Sequence, residues 1–486
     1  MLAHMSERTI GTASLLRLLG DWRAAGRGAA HRQLVDTLRL LILDGRLALA
    51  LRLPGERELA KALGLSRTTV SAAYNALRDE GFLVSRHGSG SVTSLPCERR
   101  RAAPSEDERA PGLIEFSVAA LPANESVHRA YAAALAALPR YLPTSGYEAV
   151  GLAELRAVVA ERYARLDVPT SPEQILVTQG AQQGFTLLLR LLAGPGDGVA
   201  VEHPTYSLAL ETIRRASCRI VPVALTSDGW DVEALAAACR QTDARIAFLQ
   251  PDFQNPTGLL MPPAQRAQVV EALPPGCTIA VDETMSDLWL EGARPTPLAA
   301  FDRGGRVVTL GSTGKTFWGG LRIGWMRADA RTIAALARVR ASLDMGSPVL
   351  EQLAAAELLA EGDATLAARR ESLRGRRDRL LGLARELLPE WQVSRPAGGL
   401  SIWAELPSRA ATVLAAAAEA EGLRIAPGPR FGVDGAFERF VRLPFALPEP
   451  ALETAMKKLA LAWRSLGSGD PKAPAALAPE RVPEPV

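Results

Sequence analysis

The stretch GSTGKTFWGGLRIGW, residues 311–325, contains a lysine in a chain that otherwise favours arginine. Only five of the 56 basic residues are lysines, and Lys315 is the only one between Lys61 and Lys457. Arginine stays protonated in proteins, whereas a lysine can lose its proton and attack a carbonyl carbon. We therefore predict that Lys315 forms a Schiff base with an aldehyde cofactor; the alternative is a surface lysine that escaped replacement.

Pyridoxal phosphate is an aldehyde cofactor whose other requirements the sequence also meets. Its pyridine nitrogen needs a carboxylate, and Asp282 ends the apolar run TIAV. Its phenolic oxygen needs a donor, for which Asn255 in NPTG is suited, and Tyr206 in EHPTYS can cover the ring. Its phosphate needs a helix N-terminus, a hydroxyl and a cation. The residues predicted to bind the phosphate are Gly180, Ala181, Gln182, Ser312 and Arg322.

Short apolar runs alternate with amphipathic stretches around these residues, which predicts an α/β domain with a mostly parallel central sheet. Ligands bind at the carboxyl ends of the strands in such sheets. The chain after about residue 330 becomes helix-rich and then mixed, which indicates a smaller C-terminal α+β subdomain. The predicted strands are QILVT, GVAVE, RIVPVAL, RIAFLQ, TIAVDE and RVVTLGS.

The ordered motifs TQGAQQ, EHPTY, NPTG, AVDE, STGK and GLRIGW resemble the class I/II aminotransferases of fold type I, over roughly residues 112–465. The resemblance implies the same cofactor contacts. It adds Arg442 as the group that binds the substrate carboxylate, and Tyr147 as a group that reaches the cofactor phosphate of a partner subunit. The family usually has a tyrosine two or three residues after the aspartate, where this chain has Thr284 and Met285. Thr284 can still donate a hydrogen bond to the cofactor, but productive turnover is left open.

An earlier segment, GERELAKALGLSRTTVSAAYNALRDEG at residues 55–81, predicts two helices joined by a short turn, as in a helix-turn-helix. Ser66 is placed to cap the second helix, and FLVSRHGSGSVTS then predicts a wing. The whole segment resembles the GntR family of winged-helix regulators; use of the module for protein contacts alone is the alternative. The predicted DNA contacts are Arg57, Ser66, Arg67, Thr68, Thr69, His87 and Gly88.

Composition divides the chain into five parts. Residues 31–93 form the predicted winged-helix domain, and residues 31–95 hold nine Lys/Arg against six Asp/Glu, while the whole chain carries a net charge of +3. This local excess of positive charge suits an anionic partner. The other parts are an N-terminal extension (1–30), a charged, proline-containing linker (94–112), the aminotransferase-like domain (113–465) and a Pro/Ala-rich tail (466–486) that we expect to be disordered.

The four cysteines are far apart and form no C-x-x-C pair, which argues against a disulfide framework and a zinc site. We predict no metal. The sequence shows no signal peptide and no apolar run of about 20 residues, so we expect a cytoplasmic protein without membrane contact.

A GntR-type winged helix followed by an aminotransferase-like domain is the layout of the MocR (GabR-like) regulators. This resemblance implies a homodimer, with domain swapping as one form, that binds a double-stranded DNA operator. It further implies that the second domain senses an amino compound or pyridoxal phosphate. A working aminotransferase with an attached DNA-binding module, and an empty dimer scaffold, are the alternatives.

Overall fold

The computed structural model describes residues 8–20, 22–23, 30–43, 46–48, 51–86, 90–94 and 112–467. The chain divides into two compact units, Met1–Arg109 and Ala110–Val486. Among the described residues, no helix is long and apolar enough to cross a membrane.

In the described part of the first unit, four α-helices accompany a four-stranded sheet in the order β1-β2-β4-β3. Its strands β3 and β4 form an antiparallel hairpin, as the predicted wing requires. The helices are α1 (Thr12–Leu19), α2 (Ala30–Leu43), α3 (Glu56–Leu63) and α4 (Arg67–Asp79), and the strands are β1 (Arg8–Thr9), β2 (Leu51–Arg52), β3 (Leu83–Arg86) and β4 (Gly90–Thr93).

Residues 8–20 contribute to this unit, although the sequence predicted an N-terminal extension over residues 1–30. Strand β1 pairs in parallel with β2, and α1 buries Leu15 and Leu19 in the core shared by α2 and α4. The reason is the apolar patch SLLRLL, which places leucines on one helical face and so supplies a surface that needs a partner.

The second unit contains eleven described α-helices and thirteen described strands, with short 3-10 turns between them. The helices are α5 (Glu125–Ala137), α6 (Ala153–Ala164), α7 (Ala181–Leu192), α8 (Ser207–Arg215), α9 (Val232–Thr242), α10 (Pro263–Ala272), α11 (Ala330–Arg340), α12 (Val349–Ala360), α13 (Asp363–Leu387), α14 (Ala411–Ala420) and α15 (Glu449–Gly467). The strands are β5 (Ile114–Phe116), β6 (Ile175–Thr178), β7 (Gly198–His203), β8 (Arg219–Thr226), β9 (Gly229–Trp230), β10 (Ile246–Leu249), β11 (Thr278–Asp282), β12 (Val307–Ser312), β13 (Gly324–Arg327), β14 (Gln392–Val393), β15 (Ser401–Glu405), β16 (Leu423–Pro427) and β17 (Phe440–Pro444).

An eight-stranded sheet in the order β6-β13-β12-β11-β10-β7-β8-β9 forms the centre of this unit. The neighbours from β12 to β8 are parallel, and β13 runs antiparallel between β12 and β6. This confirms the predicted mostly parallel sheet, including all six strands predicted from the apolar runs. Strands β6, β7, β10, β11 and β12 point the same way, so their carboxyl ends lie at one edge of the sheet.

A second sheet, in the order β14-β15-β17-β16-β5, forms the smaller subdomain with its own apolar core. Helices α13, α14 and α15 contribute Leu380, Leu414 and Leu459 to that core. The subdomain is not wholly C-terminal, because β5 pairs in parallel with β16 and buries Phe116 completely. A three-residue strand that pairs with a segment so far away in the sequence leaves no periodic pattern, and we did not predict it.

Candidate functional site

Lys315 lies three residues beyond the carboxyl end of β12, and its side chain is half-buried. Its ammonium group donates a hydrogen bond to the carbonyl oxygen of Ala119 at 3.0 Å. Burial, helped by the positive charge of Arg442, lowers the pKa of Lys315 to about 7, although Asp282 opposes the shift. A substantial fraction of the amine is therefore neutral, and so nucleophilic, at neutral pH.

This lowered pKa predicts how the rate of covalent pyridoxal phosphate uptake depends on pH. Only the neutral amine attacks the aldehyde, so the rate should rise with pH through about 7 and level off above it. At pH 6 about a tenth of the amine is neutral, and at pH 8 about nine tenths. Stopped-flow absorbance of the cofactor-free protein measures the profile, and a midpoint near the ordinary lysine pKa of about 10.4 would contradict the prediction.

Asp282 ends β11 and is buried at the same edge of the sheet. Burial raises the pKa of Asp282, and the hydrogen bonds that the carboxylate accepts oppose that shift. The Thr284 backbone N–H donates to Oδ1 at 2.9 Å, and Nε2 of Gln250 donates to Oδ2 at 3.0 Å. Thr284 therefore lies beside the carboxylate, and its predicted hydrogen bond to the cofactor stays a prediction.

Arg442 lies on β17 of the smaller sheet and is buried. Its Nη1 donates to Oδ1 of Asn255 at 3.0 Å, its Nη2 donates to the carbonyl oxygen of Ser117, and its guanidinium stacks over the Phe431 ring. Burial, together with the charge of Arg430, lowers the pKa of Arg442 to about 9. Because the oxygen of Asn255 is already an acceptor, its amide NH2 group is left to donate to a ligand.

The amino end of α7 has the properties of an anion site. Gly180 precedes the helix at a φ of +84°, a conformation that favours glycine, and no side chain caps the helix. A Cβ added to Gly324 would lie 2.6 Å from the carbonyl carbon of Gly180, so the backbone is tightly packed there. The exposed Arg322 donates to the carbonyl oxygen of Gln179 at 3.1 Å, which places its positive charge beside this helix end.

The remaining predicted cofactor residues occupy different positions. Ser312 ends β12 and accepts a hydrogen bond from the Gly314 N–H at 3.0 Å. The Gln182 side chain bonds Leu208 and Thr212 of α8, so its contribution to an anion site is its backbone N–H. Tyr206 follows β7 and is half-buried; burial and the charge of Asp282 raise its pKa.

Two residues lie apart from the groups above. Tyr147 is 64% exposed, so its predicted contact with a partner subunit stays a prediction. Met285 is buried in the core of the smaller subdomain with Phe253 and Leu288, at one of the two positions where the family usually has a tyrosine.

The sequence did not single out Gln250 or Glu202, although both have a recognisable signal. Each is a polar residue at the carboxyl end of a buried strand, in RIAFLQ and GVAVE, and therefore at the ligand-binding edge. Gln250 contacts Asp282 directly, and Glu202 accepts the backbone N–H of Gln250 at 2.9 Å.

The candidate DNA interface lies in the first unit, at the start of α4. Ser66 caps α4 by accepting the Thr69 N–H at 3.1 Å, and its hydroxyl lies 2.7 Å from the hydroxyls of Thr68 and Thr69. Ser66, Arg67 and Thr68 are exposed, Thr69 is half-buried, and Arg57 is exposed on α3. The predicted contacts His87 and Gly88 lie outside the described residues.

The residues of the second unit fit pyridoxal phosphate. Nε of Arg442 is buried without a hydrogen-bond partner among the described residues, and an anionic ligand would satisfy it. Lys315, half-buried and of lowered pKa, suits the aldehyde of the cofactor. Asp282, at the end of a strand, suits its ring nitrogen, and the amino end of α7 behind Gly180 suits its phosphate.

Comparison with known proteins identifies two families along the chain. Residues 125–459 match the class I and II aminotransferases, and residues 30–92 match the gntR family of bacterial regulatory proteins. The HTH-type transcriptional regulator YdcR of Escherichia coli (strain K12) is 31% identical over 449 residues, which cover 85% of this chain and 94% of YdcR. The probable rhizopine catabolism regulatory protein MocR of Rhizobium meliloti is 30% identical over 429 residues, which cover 82% of this chain and 86% of MocR.

The second unit also resembles a solved enzyme structure. The α-aminoadipate aminotransferase LysN from Thermus thermophilus, complexed with N-(5'-phosphopyridoxyl)-L-leucine, has a TM-score of 0.67 and 29% sequence identity to this chain. The match covers 74% of this chain and 95% of LysN.

Proposed function

Since this chain belongs to the class I and II aminotransferase family and joins that domain to a GntR-type DNA-binding domain, as the MocR-like regulators do, we propose that it is a pyridoxal phosphate-dependent transcription regulator whose second domain senses an amino compound. The observation that carries the proposal is Lys315, with its lowered pKa and with Asp282 and Arg442 close enough to act on it. These three charged residues matter because a chain can keep the fold of a family without keeping the charged residues of its site.

Pyridoxal phosphate, when bound, supplies an aldehyde with which amines exchange. Lys315 would hold it, Asp282 would pair with its ring nitrogen, and the amino end of α7 would bind its phosphate with Ser312 and Arg322. Arg442 would bind a carboxylate of the effector, because a guanidinium matches a carboxylate in a bidentate geometry. The effector class is therefore an amine that also carries a carboxylate.

We propose a homodimer in which each subunit presents one winged helix to a half-site of the operator. DNA affinity then depends on both half-sites being engaged together, so a small change in the spacing of the two winged helices can switch binding. Effector binding in the second domain supplies the free energy for that change only if the effector binds one spacing better than the other.

The test is borohydride reduction of freshly isolated protein followed by peptide mass spectrometry. We expect a phosphopyridoxyl group on Lys315, and we expect operator binding by the same preparation to respond to a carboxylated amine. An unmodified Lys315 would end the sensor interpretation and leave only a DNA-binding protein.

The second candidate, a working aminotransferase, is favoured by the complete set of Lys315, Asp282 and Arg442. Thr284 and Met285 stand at the positions where the family usually has a tyrosine, and this loss of a phenol argues against efficient turnover. An absorbance assay distinguishes the two functions. An enzyme should convert its bound pyridoxal phosphate to pyridoxamine phosphate when an amino donor is added, and a sensor should not.

Arg67 gives a prediction for the DNA interface. Replacing Arg67 with alanine removes an exposed cation from the start of α4 and should weaken operator binding roughly 5- to 150-fold, corresponding to about 1–3 kcal/mol. If Arg67 contacts a phosphate, the slope of log affinity against log salt should also fall by about one. Fluorescence anisotropy on a labelled operator measures both, with Arg17→Ala on α1 as the exposed-arginine control. Equal effects of the two substitutions would contradict the assignment.

A further inference from the structure

Glu202 lies at the centre of a buried hydrogen-bond network below the candidate cofactor site. It is 3% exposed near the end of β7, and it accepts hydrogen bonds from three donors. The indole N–H of Trp230 donates to Oε1 at 2.6 Å, the backbone N–H of Gln250 donates to the same oxygen at 2.9 Å, and Nε2 of Gln254 donates to Oε2 at 3.0 Å.

Two chains of hydrogen bonds, which we call arms, connect the Glu202 carboxylate to the candidate cofactor site. Along the first, Gln250 donates from its side chain to Oδ2 of Asp282 at 3.0 Å. Strands β7, β10 and β11 are neighbours, and the β10–β11 register places Gln250 level with Asp282, so this arm crosses the sheet edge by adjacent strands.

Along the second arm, Gln254 is fixed on both sides of its amide. Its Nε2 donates to Glu202 and to the carbonyl oxygen of Pro204, and its Oε1 accepts from the backbone and hydroxyl of Thr257. The next residue is Asn255, whose side chain faces Arg442. Holding Gln254 therefore fixes the backbone that presents Asn255.

We infer that Glu202 is a positioning residue that holds both ring-contacting groups of the site at once, Asp282 through Gln250 and Asn255 through Gln254. The inference rests on the proposed function, since it takes these two groups to face the pyridine nitrogen and the phenolic oxygen of pyridoxal phosphate. Burial raises the pKa of Glu202 to about 7, and its three donors counter that shift. A carboxylate with such donors fixes its partners more strongly than a neutral amide does.

Each arm can be cut separately. Gln250→Met leaves the backbone N–H on Glu202 but removes the donor to Asp282. Glu202→Gln keeps an oxygen for Trp230 and the Gln250 backbone, but it sets an NH2 group against Nε2 of Gln254. The Gln254 amide cannot turn to accommodate it without losing both bonds from Thr257.

The measurements are the dissociation constant for pyridoxal phosphate and the pH midpoint of the absorbance change of the bound cofactor. We expect either substitution to weaken binding roughly tenfold, because a hydrogen bond to a charged group is lost or a buried donor is left unpaired. The midpoint should move from its value in the unaltered protein, because the ring loses stabilisation of its negative oxygen or of its protonated nitrogen, and either loss changes the pKa of the bound cofactor. Loss of fold stability alone would leave that midpoint in place.

Trp230→Phe and Trp391→Phe form a matched pair that decides the question if either substitution above prevents folding. Both tryptophans are buried, at 6% and 5% exposure, but the Trp391 N–H has no hydrogen-bond partner among the described residues. We expect Trp230→Phe to move the midpoint and Trp391→Phe to leave it unchanged.

Different results would contradict the proposed function and the positioning role of Glu202. If borohydride leaves Lys315 of the unaltered protein unmodified, the proposed function fails. If Lys315 is trapped but the variants bind pyridoxal phosphate with unchanged affinity and midpoint, or if the two tryptophan variants behave alike, only the positioning role of Glu202 is overturned.

Discussion

Lys315→Ala should abolish the effector response completely while leaving operator binding in place. The substitution removes the single amine that we expect to hold pyridoxal phosphate covalently, and the residues predicted to contact DNA belong to the other compact unit. Operator affinity without effector should change less than about threefold, and addition of a carboxylated amine should no longer alter it. Anisotropy titrations with and without the amine measure both quantities.

Two further substitutions make this result specific. Lys315→Arg keeps a positive charge but supplies no neutral amine, so it should fail in the same way as the alanine variant. Lys457→Ala removes an exposed lysine from α15 and should respond like the unaltered protein. An effector response that survives in Lys315→Arg would show that covalent attachment is not needed, and the charge of residue 315 would then be the relevant property.

The candidate site could be predicted from the sequence to the extent that its residues follow buried strands. Asp282 and Ser312 each end an apolar run, and the register of β11 and β12 brings those ends together. The structure agrees with such local patterns because buried strands that alternate with helices favour parallel pairing, which places their carboxyl ends at one edge of the sheet.

The parts that escaped prediction depend on contacts between distant segments. The carbonyl oxygens of Ser117 and Ala119 bind Arg442 and Lys315, yet backbone groups carry no residue-type signal. Glu202 appears in the sequence as one acid at the end of an apolar run. Its role becomes visible only when three donors from different segments converge on it.

Arg442→Gln is the second substitution with a large expected effect. The guanidinium is buried, and its Nε has no partner among the described residues, so a carboxylate ligand would lose a charged, bidentate contact. We expect the affinity for carboxylated amines to fall by roughly 30-fold or more, corresponding to about 2 kcal/mol or more for a truncated buried charge pair. The affinity for amines without a carboxylate should fall much less. Absorbance titration of the pyridoxal phosphate-bound protein measures the affinity for both classes of amine.

The same substitution should also raise the pKa of Lys315. The positive charge of Arg442 is one cause of the lowered pKa, so its removal should raise that pKa and move the pH midpoint of cofactor uptake upward from about 7. Arg424→Gln, on β16 of the same sheet and paired with Glu115 and Glu419, is the control for loss of an arginine from this subdomain. If Arg442→Gln weakens the binding of carboxylated amines but leaves the midpoint unchanged, Arg442 binds the effector without lowering the pKa of Lys315. If the midpoint moves and the selectivity does not, the guanidinium acts on Lys315 alone, and the effector class must be assigned to other residues.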